Sequence, residues 1–145
     1  MSQFQKVSMF FLRVSIGWLF FYAGITKVLD PKWSAAGYLK GAKIFTGFYN
    51  SLLAPSTLTI VNFLNEWGLT VLGLSLIFGI FVKRSAILGV VLMLLYYLPL
   101  GIWHPNAHSL VVDEHIIYIF SLLLLASLDA GRTWGLDNRL RKIKS

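Results

Sequence analysis

Four apolar stretches, each close to the length needed to cross a bilayer, take up most of a 145-residue chain, over residues 7–29, 58–82, 86–102 and 109–128. At 1.5 Å per helical residue, about 20 residues cross a hydrocarbon core of roughly 30 Å. A lone segment in lipid must satisfy its own backbone groups, which selects helices over isolated strands. The rest of the composition agrees. The chain is 57% hydrophobic and only 13% charged, where a soluble domain is about one quarter charged, and a globule this small has too much surface for so few charges to cover. Residues 1–145 therefore read as one transmembrane domain, an all-α integral membrane four-helix up-and-down bundle. The connection over 30–57 mixes Lys40 and Lys43 with Tyr38, Phe45, Phe48 and Tyr49. It suits either a short interfacial amphipathic helix or a folded loop capping the bundle.

The charge pattern sets topology. Thirteen Lys or Arg face six acids, for a formal charge of +7, and these cations flank the apolar runs. Anionic headgroups account for them, so nucleic acid is not an expected partner. Four spans place both termini on one side with a tight turn expected at Lys83-Arg84. Lys6, Lys83, Arg84, Arg132, Arg139, Arg141, Lys142 and Lys144 crowd that side, and the bias assigns both termini to the cytoplasm. The first run carries Arg13 and exceeds a signal-peptide core, so it reads as a span and not a cleaved leader. The chain has no cysteine, which excludes disulfides, thiolate metal sites, iron–sulfur clusters and thiol redox chemistry within it.

Polar residues inside the spans carry the functional signal, because a charged side chain in hydrocarbon is costly and turns inward or toward a partner. Arg13, Gly17, Gly24 and Lys27 follow a three-to-four residue rhythm, as do Asn62, Glu66, Thr70 and Gly73 with Asn65 alongside, and as do His115, Tyr118, Leu122, Ala126 and Asp129. Residues so spaced share a helical face, and the glycines let neighbouring backbones approach. Glu66 lies roughly 12 Å and His115 roughly 9 Å below the outer edge of their spans, at 1.5 Å per residue. These depths predict a shared cavity holding Glu66, His115 and Lys27, with Tyr96, Tyr97, Asn62 and Asn65 at compatible heights. Glu66 and His115 are the candidate catalytic, proton-handling groups, since histidine offers two distinct nitrogens and exchanges protons near neutral pH. Lys27, Asn62, Tyr96, Tyr97 and Tyr118 are candidate ligand contacts. Such a set suits a quinone headgroup, whose oxygens need hydrogen bonds and proton exchange on reduction. At the opposite end, Arg13 and Asp129 are expected to form a structural ion pair.

Plainer readings stand beside these. Asp113 and Glu114 suit the first turn of the fourth helix, where the helix dipole favours negative charge. Glu66 also fits a structural link between helices, and Lys27 fits snorkelling to the membrane edge. His104 and His108 have the spacing of a helical metal pair, but the intervening Pro-Asn-Ala reads as a loop, and no metal site is assigned.

The stretches FLRVSIGWLFFYAGITKVLDP (11–31), NEWGLTVLGLSLIFGIFVKRSA (65–86), VDEHIIYI (112–119) and DAGRTWGLD (129–137) resemble, in order and spacing, the DoxX/DoxD family of small four-helix prokaryotic membrane proteins. One branch of that family is similar to the membrane subunit of thiosulfate:quinone oxidoreductase. The resemblance implies the cytoplasmic (inner) membrane, a redox setting, and recurring polar positions at Arg13, Lys27, Asp30, Glu66, His115 and Arg132. With no cysteine to hold a sulfur intermediate, a membrane or periplasmic redox partner would have to supply that chemistry. Three functions follow as expectations: a subunit that binds quinone or supports electron transfer to the quinone pool, a non-catalytic structural or assembly subunit of a larger complex, and a small carrier or channel.

Overall fold

The computed structural model describes residues 1–101, 103 and 110–138. His104 and His108, and the cations Arg139, Arg141, Lys142 and Lys144, lie outside the described residues. Among those described the fold is all-helical. Helix α1 covers Gln3–Val28, and short helices α2 (Ala36–Lys40) and α3 (Thr46–Ser51) follow. The long helices α4 and α5 cover Pro55–Phe78 and Val82–Leu100, and α6 covers Glu114–Ser127. α1, α4 and α5 are each long and apolar enough to cross a membrane, whereas α6 is apolar but has only 14 residues.

Close backbone contact sets the packing of α1 on α4. A Cβ added at Gly24 would lie 2.4 Å from the Thr70 nitrogen, and one at Gly73 would lie 2.3 Å from the Phe21 nitrogen. Larger residues there would force the helices apart. The contacts pair Gly17 with Gly73 and Ile77, and Gly24 with Glu66 and Thr70, so the two helices run antiparallel. Tyr96 against His115 and Gly89 against Leu122 give the same sense for α5 and α6. Phe20, Leu69, Leu76, Ala86, Leu122 and Leu125 from these four helices meet in one buried cluster. The outward faces are apolar as well, with Phe4, Phe11, Trp18, Phe63, Val71 and Phe120 all exposed. This is the expected surface of helices that meet lipid.

Three boundaries differ from the sequence-based expectation. The tight turn is at Gly79–Phe81, not at Lys83-Arg84, which lie in the first turn of α5. Gly79 takes a left-handed φ of 69° and ends α4, as glycine does at the residue following a helix. The connection 30–54 holds two short helices, which pack Ala35, Leu39 and Tyr49 into a small cluster of their own against Leu58, Val61 and Leu98. Finally, α6 begins at Glu114, not near residue 109. Asp113 is its N-cap, accepting a hydrogen bond from the Ile116 backbone N–H at 3.2 Å, the role aspartate fills best.

α4 also departs from simple periodicity. Residues Leu64–Gly68 form a π-helical turn, which inserts one residue relative to α-helical spacing. Within it the Asn65 amide donates to the Val61 carbonyl at 2.8 Å and the Thr70 hydroxyl to the Glu66 carbonyl at 2.7 Å. The stripe Asn62, Glu66, Thr70, Gly73 is therefore not one face: Asn65, Thr70 and Gly73 are buried, while Glu66 is half-exposed.

Candidate functional site

At the end of the molecule where α1 and α5 finish, a cavity of about 480 Å³ lies beneath the 30–54 segment. Its position follows from helix lengths. At 1.5 Å per residue α6 is roughly 18 Å shorter than α1, and α2 and α3 roof the space. The walls are predominantly aliphatic and aromatic. Lys27, Tyr38, Tyr49, Asn65, Tyr96 and His115 supply its main polar groups.

Proline explains how the roof is attached. Pro99 has no N–H to give the Leu95 carbonyl one turn earlier. Tyr49 donates to that carbonyl at 3.0 Å, and Tyr38 donates to the neighbouring carbonyl of Tyr96. The Lys43 backbone N–H donates to the Pro99 carbonyl at 2.8 Å. Burial, then the nearby Tyr49 and Asp113, push the Tyr38 hydroxyl up to about 12, so it stays a proton donor at any physiological pH. Burial raises Tyr49 too.

His115 is the most organised group in the wall. Its Nδ1 lies 2.7 Å from Asp113 Oδ2. A carboxylate only accepts, so Nδ1 carries a proton, and in the neutral imidazole Nε2 then presents its lone pair. Nε2 has no hydrogen-bond partner among the described residues. Asp113 thus does two things: Oδ1 caps α6 and Oδ2 fixes the imidazole tautomer. The Tyr96 ring meets the His115 ring edge-on, with centroids 6.0 Å apart, and the Tyr96 hydroxyl donates to Asn65 Oδ1. Lys27, near the end of α1, donates to its own Ala23 carbonyl at 2.8 Å and lies 5.4 Å from the Trp33 ring centroid.

Several sequence-derived placements change. Glu66 does not line the cavity, and its carboxylate makes no hydrogen bond or ion pair with a described residue, because the π turn rotates it away from the face that Asn65 occupies. The partner of His115 is Asp113. His115, being the second residue of α6, sits at the helix mouth and not deep within a span. Asn62 lies just behind the wall, where its Oδ1 accepts from the Ala35 backbone N–H at 3.0 Å. Tyr97 is buried and donates to the Val111 carbonyl at 2.7 Å, tying down the approach to α6. Tyr118 packs against the main core. Lys27, Tyr96 and His115 do meet in one cavity. Sequence reasoning missed Tyr38, Tyr49 and Trp33; for Tyr49 the available signal was Pro99 and the Leu95 carbonyl it frees.

The opposite end is closed. Arg13 is fully buried, yet it does not pair with Asp129, whose carboxylate meets Arg132 at 3.5 Å. Arg13 donates instead to the carbonyls of Ala130 and Trp134, each at 3.3 Å. Left-handed conformations at Asp129 and Trp134 turn this segment back over the guanidinium. Asp137 accepts from the N–H groups of Phe81 and Val82 at 2.7 and 3.1 Å, capping the start of α5.

No curated protein and no solved structure matches the chain significantly. The DoxX family model, in contrast, matches residues 8–100, which takes in α1, the roof over the cavity, α4 and α5. Spanning well over half of the chain, that match shows that it belongs to the DoxX family.

Proposed function

We propose that this DoxX protein is a four-helix subunit of the cytoplasmic membrane that binds a quinone headgroup in the cavity beneath the 30–54 segment, and that it serves a redox system together with a partner protein. The observation that carries the reading is the Asp113–His115 pair, which leaves Nε2 of His115 without a partner among the described residues in a predominantly apolar wall. A cavity of this size is within the usual range for small-molecule sites, which are mostly apolar with a few placed polar groups. When bound, a quinone supplies two-electron, two-proton chemistry at its ring oxygens. His115 would hold or accept a proton at Nε2 while Asp113 fixes the ring and balances its charge. Tyr96 and Asn65, bonded to each other, would set the wall against which the ring stacks. Electrons would come from the partner, since the chain has no cysteine and thus no thiolate route of its own.

The topology belongs to this proposal. The closed end gathers the start of α1, the 79–81 turn and residues 129–138, together with Lys6, Lys83, Arg84 and Arg132. Counted along the sequence, the further cations Arg139, Arg141, Lys142 and Lys144 follow residue 138, and added to these four they outnumber Lys32, Lys40 and Lys43 of the other side. On this reading the Arg13 end is cytoplasmic and the cavity opens toward the outer leaflet.

Native purification in mild detergent, followed by mass spectrometry of bound lipids and proteins, tests the reading. The expected result is a quinone together with a redox partner, with the quinone lost in His115→Leu and the partner retained. A partner retained with no quinone in either protein would sink the ligand role and favour the assembly role.

A further inference from the structure

Lys27 is a cation in the wall that no carboxylate among the described residues pairs with. No acidic side chain lines the cavity. Among the described residues Lys27 forms no ion pair. Both Asp113 oxygens are taken, one by His115 Nδ1 and the other by the Ile116 N–H. The Glu66 carboxylate lies outside the cavity lining. Nor does Lys27 reach out freely to the membrane edge, as a snorkelling lysine would. It is half-buried, folded back so that one N–H meets the Ala23 carbonyl and the ammonium lies against the Trp33 ring. An ammonium has three N–H donors, and among the described residues one of them has an acceptor. A cation in apolar surroundings without a counter-ion gains strongly from an anion that brings its own apolar tail.

From this we infer that Lys27 makes the cavity selective for amphiphiles whose head is an oxyanion: a single negatively charged oxygen group at Lys27, with the hydrocarbon remainder along Leu39, Leu92 and Leu95. This rests on the cavity being a ligand site. It predicts that an acidic amphiphile competes with a neutral one of the same chain length. The shared chemistry, an oxyanion on an apolar chain, has two sources, a free carboxylate amphiphile and an anionic phospholipid.

The test uses the full chain in a neutral maltoside detergent, titrated separately with laurate, dodecanol and phosphatidylglycerol while tryptophan fluorescence is recorded. Trp33→Phe identifies the responding indole. Laurate is expected to bind at least tenfold more tightly than dodecanol, a charge-assisted hydrogen bond being worth roughly that factor. Lys27→Gln should erase the difference, and Lys27→Arg should keep most of it. If phosphatidylglycerol binds with the same Lys27 dependence and laurate does not, the inference stands with bilayer lipid as the source. It is overturned if no anion binds the wild-type chain, or if laurate and dodecanol bind alike, or if Lys27→Gln leaves the preference intact. Added quinone, measured in the same samples, separates the two readings. Quinone bound with no anion preference sinks only the selectivity, while anion preference without quinone binding sinks only the quinone role.

Discussion

At the Arg13 end, a buried guanidinium donates to two backbone carbonyls and is wedged between glycines. At the His115 end, a histidine is held from behind and its front nitrogen is left open. In both places a polar side chain lies among apolar helices, where an unsatisfied charge is expensive. The difference is in what the chain supplies to meet it. Residues 129–137 fold back to fill the Arg13 end, and a Cβ at Gly79 or Gly135 would come within 2.2 or 2.4 Å of the guanidinium. At the other end the 30–54 segment bridges the gap as a roof and leaves a cavity below. The first arrangement packs glycines and backbone tightly around the guanidinium and still leaves its Nε without a partner among the described residues, whereas the second keeps its polar groups on the wall of a cavity. Ligand binding is thus expected at the His115 end, and stability is expected to depend more on the Arg13 end.

Substitutions can break or sharpen this contrast. Gly79→Val should be the most damaging, because it places a branched side chain at a left-handed φ and against Arg13. A loss of about 3 kcal/mol or more is expected, read as a fall in melting temperature in detergent. Unchanged melting would show that the closed end is not tightly packed. Asp137→Ala removes the cap of α5 and should cost about 1–2 kcal/mol, without altering ligand binding in the folded protein. Tyr49→Phe leaves the Leu95 carbonyl without its donor and should cost about 1 kcal/mol. In contrast to Asp137→Ala, it should also speed ligand exchange by loosening the roof, which a dissociation-rate measurement would detect. Asp113→Asn should change stability by less than about 0.5 kcal/mol, since asparagine caps as well as aspartate. Quinone binding should nevertheless weaken, because the amide cannot balance a protonated His115. A large stability loss in this variant would make the dyad a structural feature.

The sequence exposes some parts of this architecture and hides others for identifiable reasons. The long apolar helices were legible because length and composition decide them, and Gly17, Gly24 and Gly73 were legible as contact points because helical spacing stacks them. The inward position of Arg13 was readable from its place inside a span. Its partners were not, because its acceptors are backbone carbonyls brought in by positive φ at Asp129 and Trp134, conformations that those residue types do not announce. Matched depth and an unbroken three-to-four residue rhythm point Glu66 into the cavity, and the π turn at Leu64–Gly68 breaks that rhythm. For His115 the error lay in the helix start. Asp113 and Glu114 do read as the first turn of that helix, as the structure has them, but a span counted from residue 109 puts His115 too deep.

Photoaffinity labelling with an azido-quinone, followed by peptide mapping, tests the central claim most directly. The account predicts label in the peptides containing Trp33–Leu39 and Leu92–Tyr96, suppressed by excess unlabelled quinone and lost in His115→Leu. Label confined to the lipid-exposed faces around Phe11 and Phe120, or unaffected by His115→Leu, would contradict it.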